Sequence, residues 1–496
     1  MTVQTLNQQW SSDVWEHAAV IRELTTHPLY PHHPLLMVDA PHPYFSPYTV
    51  AVGGLARAFH AGPIGALQVA ALVNLLLFLV GFRLFVGLLL GPRVPFFALL
   101  SVLFLWGFHD WRWSGFLNLN SFGFSLPYPS MFAMSTMLFA FSSFILLVRR
   151  RSVVWIIPLT AAAILVILSH PITGGMMLLG LGALAVGSLT RADGRLWVLL
   201  LVGAVVVCIA AVTWPYYSIT DLFHQGSIYD ASHAALYEDV WTRVALALVG
   251  IPLIVMRASR NPRDPLALVF VGGLAIYVIG DATGHLTLGR FVLLAVLGLQ
   301  LAIADAAARL EADLKAGRRR VPFPGAVPLG IGAVLGAGLL LNAPAAVRFV
   351  PRPLLPASVR SDPALAQLSE WYSFLPDRVG QYDVVLTEGF SDKVEPTFGG
   401  KEVATSYPIP FVPSIGERRA DSARFFAPGE DVSVRRRIIA KYGVSFVLVE
   451  KVGGAWDRSL RRLGQVTYED TRFVLLRVAP RVNVPGGAAR RSRGRV

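Results

Sequence analysis

Long apolar runs separated by clusters of glycine, proline or arginine fill most of the first 345 residues. Each run has roughly 15 to 25 residues, enough for a helix to cross a hydrocarbon layer of about 30 Å. The pattern predicts about ten spans, at 64–88, 94–108, 131–148, 153–168, 172–189, 196–213, 243–256, 265–280, 288–306 and 325–343. We therefore expect a mainly α protein, a polytopic transmembrane helix bundle.

Composition supports this interpretation. Hydrophobic residues make up 54% of the chain and charged residues 15%, well below the roughly 25% charged residues of a soluble domain. The formal net charge of +13 arises largely from short arginine-rich loops and the C-terminal arginines. We attribute it to membrane topology and attraction to the membrane surface, not to nucleic-acid binding.

Basic residues also predict the orientation, because short loops rich in Lys and Arg stay on the cytoplasmic side. Alternate loops carry Arg93, Arg149–Arg151, Arg191 and Arg195, Arg257–Arg263, and Lys315–Arg320. The intervening loops hold acidic, histidine and aromatic residues and are expected to face outward. An even number of spans then places both ends of the chain in the extracytoplasmic compartment, and the expected location is the cell (inner) membrane.

The N-terminus shows no signal peptide, because no basic segment is followed by an apolar one within residues 1–45. Something must nevertheless carry this segment across the membrane. We expect that a first helix is missing, as it would be if the start codon lay too far downstream. The alternative is spontaneous translocation of a short tail.

The pattern predicts four regions. Residues 1–62 form an extracytoplasmic amphipathic helix and a loop rich in proline and histidine, and 63–345 form the helix bundle. Residues 346–482 form an extracytoplasmic α/β domain with a small mixed sheet, and 483–496 a disordered basic tail. Within the α/β domain, strands are expected at 384–386, 444–450 and 473–478, and a helix at 435–442.

Candidate chemistry begins in the segment DVWEHAAVIREL. Asp13, Glu16 and His17 are expected on an amphipathic helix at the membrane surface, where residues i and i+4 share a face. A solvated surface helix without a catalytic role is the alternative. Carboxylate and imidazole also suit a divalent metal, with Asp13, His17 and either His32 or His33 as ligands. The single cysteine, Cys208, excludes disulfides and is expected to be a small apolar filler within a span.

Several further segments occur in a characteristic order. They are HPLYPHHP, FSPYTVAVGGLARAF, WSGFLNLNSFGFSLPYPSMFA, LSHPITG, HLTLGRF, and the C-terminal PTFGGKEV and RRRIIAKYGVSFVLVE. Together with the acidic N-terminal helix, this arrangement resembles the glycosyltransferase C superfamily, multi-pass enzymes that use polyprenyl-phosphate sugars. The resemblance covers most of the chain.

The resemblance implies that an acidic residue of the first outer loop acts as general base on the acceptor hydroxyl. Asp13 matches this position, with Glu16 as second choice and His17 as a residue that could orient Asp13. This chain departs from the family in lacking a helix before the loop and in placing the second acid three residues on. A phosphate leaving group needs cations, and Arg290, with His285 nearby, is the candidate donor phosphate site.

Asp110, Tyr128 and His170 are candidates for the substrate mouth. The alternatives are an interfacial aromatic belt for the aromatic residues, a helix cap for His170, and a snorkelling side chain for Arg290. Expected partners are a polyprenyl-phosphate sugar donor, a glycan, lipid or protein acceptor, and the bilayer. No cofactor is assigned, and a divalent metal stays an open option.

Two other classes of protein remain as alternatives. One is a non-catalytic transporter or flippase of polyprenyl lipid or polysaccharide, although the charges gather at span ends and not at mid-membrane. The other is a membrane scaffold with an outer binding domain. The composition, rich in alanine, glycine, valine and arginine, suggests a bacterial source.

Overall fold

The computed structural model describes residues 2–8, 10, 13–109, 111–188, 194–316, 326–360 and 367–478, without the side chains of 326–331, 344–346 and 359–360. The chain forms two compact units. Unit 1 comprises Met1–Pro34, Asp39–Trp371 and Pro408–Val412, and unit 2 comprises Leu35–Val38, Tyr372–Tyr407 and Pro413–Val496. The predicted tail at 483–496 lies outside the described residues.

Unit 1 is helical. Its helices are α1 Thr2–Leu6, α2 Asp13–Thr26, α3 Pro47–Ala58, α4 Pro63–Leu90, α5 Val94–Phe104, α6 Leu119–Ser125, α7 Pro129–Arg150, α8 Ile156–Ser169, α9 Pro171–Gly187, α10 Gly194–Val212, α11 Ile219–His224, α12 Asp230–His233, α13 Val240–Val244, α14 Ile251–Arg260, α15 Pro265–Thr283, α16 Val292–Lys315, α17 Ala326–Asn342, α18 Ala357–Arg360 and α19 Leu368–Trp371. Among the described residues, five helical segments are long and apolar enough to cross a membrane: α4, α7, α10, α15, and α16 together with its leading turn from Leu286. The predicted multi-pass helix bundle is confirmed.

Nine of the predicted spans coincide with a described helix, four of them with shorter apolar helices. The span expected at 243–256 is broken into α13, a 3-10 turn at Ala247–Gly250, and α14. Gly250 lies so close to α16 that an added Cβ would be 2.8 Å from the carbonyl oxygen of Leu299. Helix α14 then begins at Ile251 with Pro252 in its first turn, because proline has no N–H to continue the preceding helix.

The bundle has a buried centre and an exposed apolar periphery. Nearly all of α7 and α16 is buried, whereas α10 is almost entirely exposed. Cys208 lies on the exposed surface of α10, so it does not fill an internal space as predicted.

Helix α2 is not the amphipathic surface helix that the sequence predicts. Ten of its fourteen residues are buried, among them Glu16, His17 and Glu23. The helix packs against α3 and α4. The sequence pattern is misleading here because the polar side chains point at partners within the same unit, where hydrogen bonds offset the cost of their burial.

Unit 2 is built on a five-stranded mixed sheet. The strands β1 Val384–Leu386, β2 Lys401–Glu402, β3 Phe446–Glu450, β4 Gln465–Glu469 and β5 Phe473–Arg477 lie in the order β2-β1-β3-β5-β4. Strands β2, β1 and β3 are parallel, and β5 is antiparallel to both of its neighbours. The helices are α20 Ser391–Phe398, α21 Ile415–Phe426 and α22 Val432–Tyr442. The predicted α/β module with a small mixed sheet is confirmed.

The division between the units differs from the predicted boundary at 346. Unit 2 begins its main segment at Tyr372, and the preceding linker belongs to unit 1. Asn7 Nδ2 donates a 3.2 Å hydrogen bond to the Val350 carbonyl, and the hydroxyl of Ser369 lies 2.5 Å from Gln8 Oε1. These contacts join the linker to the N-terminal segment, which a reading of composition along the chain does not reveal.

Candidate active site

Arg290 is held by three groups on different parts of unit 1. Its Nε donates to His233 Nε2 at 3.1 Å, and its Nη1 donates to the carbonyl and hydroxyl oxygens of Ser114 at 2.7 and 3.2 Å. The guanidinium carbon lies 5.3 Å from the centroid of the Trp113 ring, a cation–π distance. Nη2 makes no hydrogen bond within the described part of the chain. The side chain is thus buried and fixed, with one edge of its fork left for another group.

His233 holds Arg290 as a neutral imidazole. Its Nδ1 lies 2.7 Å from the carbonyl oxygen of Tyr229, so we assign the proton to Nδ1 and leave Nε2 to accept from Arg290. Burial, followed by the charge of Arg290, lowers the pKa of His233 to about 4. Asp230 accepts two hydrogen bonds of 2.8 Å from the backbone N–H and hydroxyl of Thr287. Helix α12 is thereby tied to the turn that carries Arg290.

Two acidic residues and a tyrosine share the electrostatic environment of Arg290. Asp13, the first residue of α2, interacts electrostatically with the guanidinium. Burial raises the pKa of Tyr44 well above its usual value, and Glu16 and Asp13 add to this, whereas Arg290 acts in the opposite direction. Asp13, Glu16 and Arg290 therefore all lie within electrostatic range of Tyr44, although they come from distant parts of the sequence.

Glu16 differs from Asp13 in its surroundings. One carboxylate oxygen of Glu16 lies 3.2 Å from His42 Nε2, and both side chains are almost fully buried. His42 Nδ1 accepts from the backbone N–H of Tyr44 at 3.3 Å. In its neutral form His42 must then carry its proton on Nε2. Glu16 is therefore engaged by an imidazole from its own N-terminal segment.

His17 is buried among aromatic rings. Its ring centroid is 4.6 Å from that of Tyr44 and 5.1 Å from that of Tyr128. Burial lowers its pKa to about 3, and its Nδ1 makes no hydrogen bond within the described residues. Among these residues, His17 Nδ1 therefore makes no hydrogen bond that would support its predicted role of orienting Asp13. Its ring packs instead beside that of Tyr128.

His170 caps a helix, which is the alternative to its predicted place at the substrate mouth. Its Nδ1 accepts from the backbone N–H of Thr173 at 3.2 Å and lies 2.8 Å from the Thr173 hydroxyl, so it caps the N-terminus of α9. Burial lowers its pKa well below the usual value, and Arg290, His17 and His233 contribute further. The helix cap therefore also lies within the electrostatic range of the Arg290 site.

One other candidate, His285, is not brought to this site. His285 is exposed beyond the end of α15, and the imidazole that contacts Arg290 is His233 instead. Asp110 lies outside the described residues. Sequence reasoning missed His233, Ser114 and Asp230. The only available signal was their position in segments expected to face outward, which they share with many other polar residues.

The predicted metal cluster of Asp13, His17 and His32 or His33 does not form. Among the described residues, the side chains grouped closely enough to hold a metal ion are Glu23, His27 and His32, whose ligand atoms all lie within 4.8 Å of one another. The ring of His33 instead packs against that of His42, with centroids 4.9 Å apart.

Solved structures of similar fold include ArnT and an archaeal oligosaccharyltransferase. ArnT from Cupriavidus metallidurans in the apo state is 16% identical, with a TM-score of 0.53 and 96% of each chain covered. The same protein bound to undecaprenyl phosphate gives a TM-score of 0.51 at 14% identity. The oligosaccharyltransferase of Archaeoglobus fulgidus tethered with an acceptor peptide gives a TM-score of 0.51 at 15% identity, with 89% of this chain covered.

The chain spans 65% of the length of that oligosaccharyltransferase. No protein-family model matches the sequence, and no curated protein matches it significantly. The structural likeness over nearly the whole chain shows that the protein shares the fold of ArnT and of this oligosaccharyltransferase. Among the solved structures, ArnT is similar to it over nearly the full length of both chains.

Proposed function

We propose that the protein is a membrane glycosyltransferase that transfers a sugar from a polyprenyl-phosphate-linked donor to an acceptor hydroxyl on the outer face of the membrane. The observation that carries the proposal is that the carboxylate of Asp13 lies within electrostatic range of a fixed and buried guanidinium, that of Arg290. The fold supports the same chemistry, because the solved structures that share it include one with undecaprenyl phosphate and one with dolichol-phosphate.

Asp13 is our choice of general base. An alcohol is a weak nucleophile, and a placed carboxylate that accepts its proton contributes about 10² to 10⁴ in rate. Glu16, the second choice, already faces His42 Nε2 at 3.2 Å, which favours a supporting role for it. We assign Asp13 to the proton and Glu16 to holding His42, and through it Tyr44, in place.

Arg290 is our choice for the donor phosphate. In the reaction, the acceptor oxygen forms a bond to the anomeric carbon and its proton passes to Asp13. The bond between that carbon and the phosphate oxygen breaks, and the phosphate leaves with the electron pair. Arginine offers a planar fork of donors for the charge that grows on the phosphate. The free Nη2 edge suits this task, because His233 and Ser114 already fix the rest of the group.

His233 is positioned to keep Arg290 aimed without competing for the anion. As a neutral imidazole it accepts from the guanidinium and adds no positive charge of its own. A carboxylate in this place would offset the positive charge that the phosphate needs. The pairing of Arg290 with an imidazole therefore favours an anion as the missing partner.

The test is incorporation of labelled sugar from polyprenyl-phosphate donors by the purified protein in detergent. Wild type is compared with Asp13→Asn and, as a matched control, with Asp221→Asn, which changes an exposed acid elsewhere in unit 1. We expect Asp13→Asn to lose about 10² to 10⁴ in turnover while the control keeps wild-type turnover. Each assay is repeated with a chelator to test for a metal requirement.

The outcomes separate the classes of protein. If no donor is turned over by wild type, while labelled polyprenyl lipid crosses vesicles that contain the protein, the enzyme proposal is overturned in favour of a flippase. If turnover survives in Asp13→Asn, the base is wrongly assigned, and Glu16→Gln becomes the next variant. Thermal unfolding of each variant shows whether a loss reflects chemistry or misfolding.

A further inference from the structure

The end of α2 and the loop after it bring three metal-binding side chains together. Glu23 and His27 lie one turn apart on the chain, and His32 follows after the intervening turn. His27 Nδ1 is 3.3 Å from a carboxylate oxygen of Glu23, and the backbone N–H of His32 donates to the same oxygen at 3.0 Å. The ring centroids of His27 and His32 are 5.2 Å apart, and the two ring planes are nearly perpendicular. The loop is therefore folded so that both imidazoles face one buried carboxylate.

The spacing suits a small divalent ion. Zinc binds imidazole nitrogen and carboxylate oxygen at about 2.0–2.2 Å in a tetrahedral arrangement, in which two ligand atoms are about 3.3 Å apart. The 3.3 Å between His27 Nδ1 and Glu23 Oε1 equals this edge, and all the ligand atoms lie within 4.8 Å. His32 is exposed, so its side chain can move by the remaining distance without disturbing the core. Two imidazoles and one carboxylate are a donor set that prefers zinc over magnesium or calcium.

We infer that Glu23, His27 and His32 bind one Zn²⁺ ion, with a fourth position open to solvent. The ion connects the C-terminal end of α2 to the loop after it. This is the same loop that continues to His42 and Tyr44, two neighbours of the candidate active site. Arg57 on α3 donates to the Thr26 carbonyl at 3.2 Å, so the end of α2 is also held from the other side.

The metal site is separate from the site of Asp13 and Arg290. Asp13 and Glu23 are ten residues apart on one helix, which corresponds to about 15 Å along its axis. The ion therefore does not contact the acceptor hydroxyl or the donor phosphate. Its expected effect is to order the loop, because metal binding adds to the stability of the conformation that assembles the ligands.

The experiment uses the full-length protein in detergent, stripped with chelator and then titrated with ZnCl₂ alone. Bound zinc is measured by elemental analysis and calorimetry, and coordination by the visible absorption of a Co²⁺ substitute. We expect one zinc per chain, a rise in Tm on binding, and a loss of affinity of at least about tenfold in His32→Ala and in His27→Ala. His224→Ala, an exposed histidine of unit 1, is the matched control and should bind as wild type does.

His32→Ala is the decisive variant because its side chain is exposed and the protein should fold without it. Zinc binding that is equal in wild type, His32→Ala and His27→Ala would overturn the proposal, as would no binding by wild type. In that case Glu23 and His27 form an ordinary i, i+4 ion pair. None of these readouts depends on sugar transfer, so the metal site and the proposed enzyme activity can fail independently.

Discussion

Arg290 donates its Nε–H to His233 across 3.1 Å, and the two residues are 57 positions apart in the sequence. A guanidinium paired with a neutral imidazole keeps its full positive charge, unlike one paired with a carboxylate. The Tyr229 carbonyl, by accepting from His233 Nδ1, makes the opposite nitrogen the acceptor. This chain of two hydrogen bonds is the basis of the first two predictions.

Arg290→Lys should reduce kcat/KM for the lipid-linked donor by roughly 10- to 100-fold. Lysine keeps the charge but loses the planar fork, and with it the contacts to His233 and Ser114. Steady-state kinetics with varied donor concentration measure the change. Arg263→Lys, a substitution of an exposed arginine, serves as the control. Unchanged donor kinetics in Arg290→Lys would remove Arg290 from the phosphate site.

His233→Phe should reduce kcat/KM for the lipid-linked donor by about tenfold or more, because the Arg290 Nε–H loses its acceptor at a buried position. Phenylalanine preserves the ring next to Trp113, whose centroid is 5.3 Å away. The effect should appear mainly in donor kinetics and should be smaller in His233→Gln, whose side-chain oxygen can still accept. Equal donor kinetics in wild type, His233→Phe and His233→Gln would show that His233 does not position Arg290.

His17 should make the protein less stable in acid. Its folded-state pKa is about 3, below the unfolded value of 6.5, so the unfolded chain binds the extra proton first. The contribution of His17 is fully present above pH 6.5 and falls by about 1.4 kcal/mol per pH unit between pH 6.5 and 3.

The comparison is between wild type and His17→Phe, with Tm measured from pH 7.5 to 4.5 in detergent. The variant should lose Tm less steeply below pH 6.5, since one buried titrating group is gone while the ring contacts with Tyr44 and Tyr128 are kept. Parallel curves for the two proteins would contradict the prediction. His233 and His170 should contribute to the fall of Tm with pH that remains in the variant, because burial lowers their pKa values too.

Arg435→Met should destabilise unit 2 by about 2–4 kcal/mol. The guanidinium is buried and donates to the carbonyls of Phe425 and Ala427, to Ser459 and to Asp457, groups that would lose their partner. The next residue, Arg436, is exposed, so Arg436→Met should change stability by less than about 0.5 kcal/mol. The stability of unit 2 is measured by limited proteolysis of the full chain, in which the cleavage sites are identified. Equal protection of both variants would refute the assignment.

Local patterns predicted nine helices of the bundle in unit 1 and three of the five strands of unit 2. The apolar runs anticipated nine helices of the bundle, and the strands at 384–386 and 473–478 agree with β1 and β5 to within one residue. The span at 243–256 failed because its continuity depends on the close approach of Gly250 to Leu299, which a run of apolar residues does not reveal. Strand β2, only two residues long, carries no periodic signal of its own.

By itself, the sequence determined nine helices of the bundle and three of the five strands, that the chain is a multi-pass membrane protein, and that Asp13, Glu16 and Arg290 are the charged residues to consider. These properties depend on the length and spacing of apolar residues, which are local. Only the tertiary structure decided that α2 is buried, that His233 and not His285 contacts Arg290, and that Glu23 joins His27 and His32. Such partners are selected by packing between distant segments, as with Ser114 and Arg290, 176 residues apart, and a contact of this kind has no period along the chain.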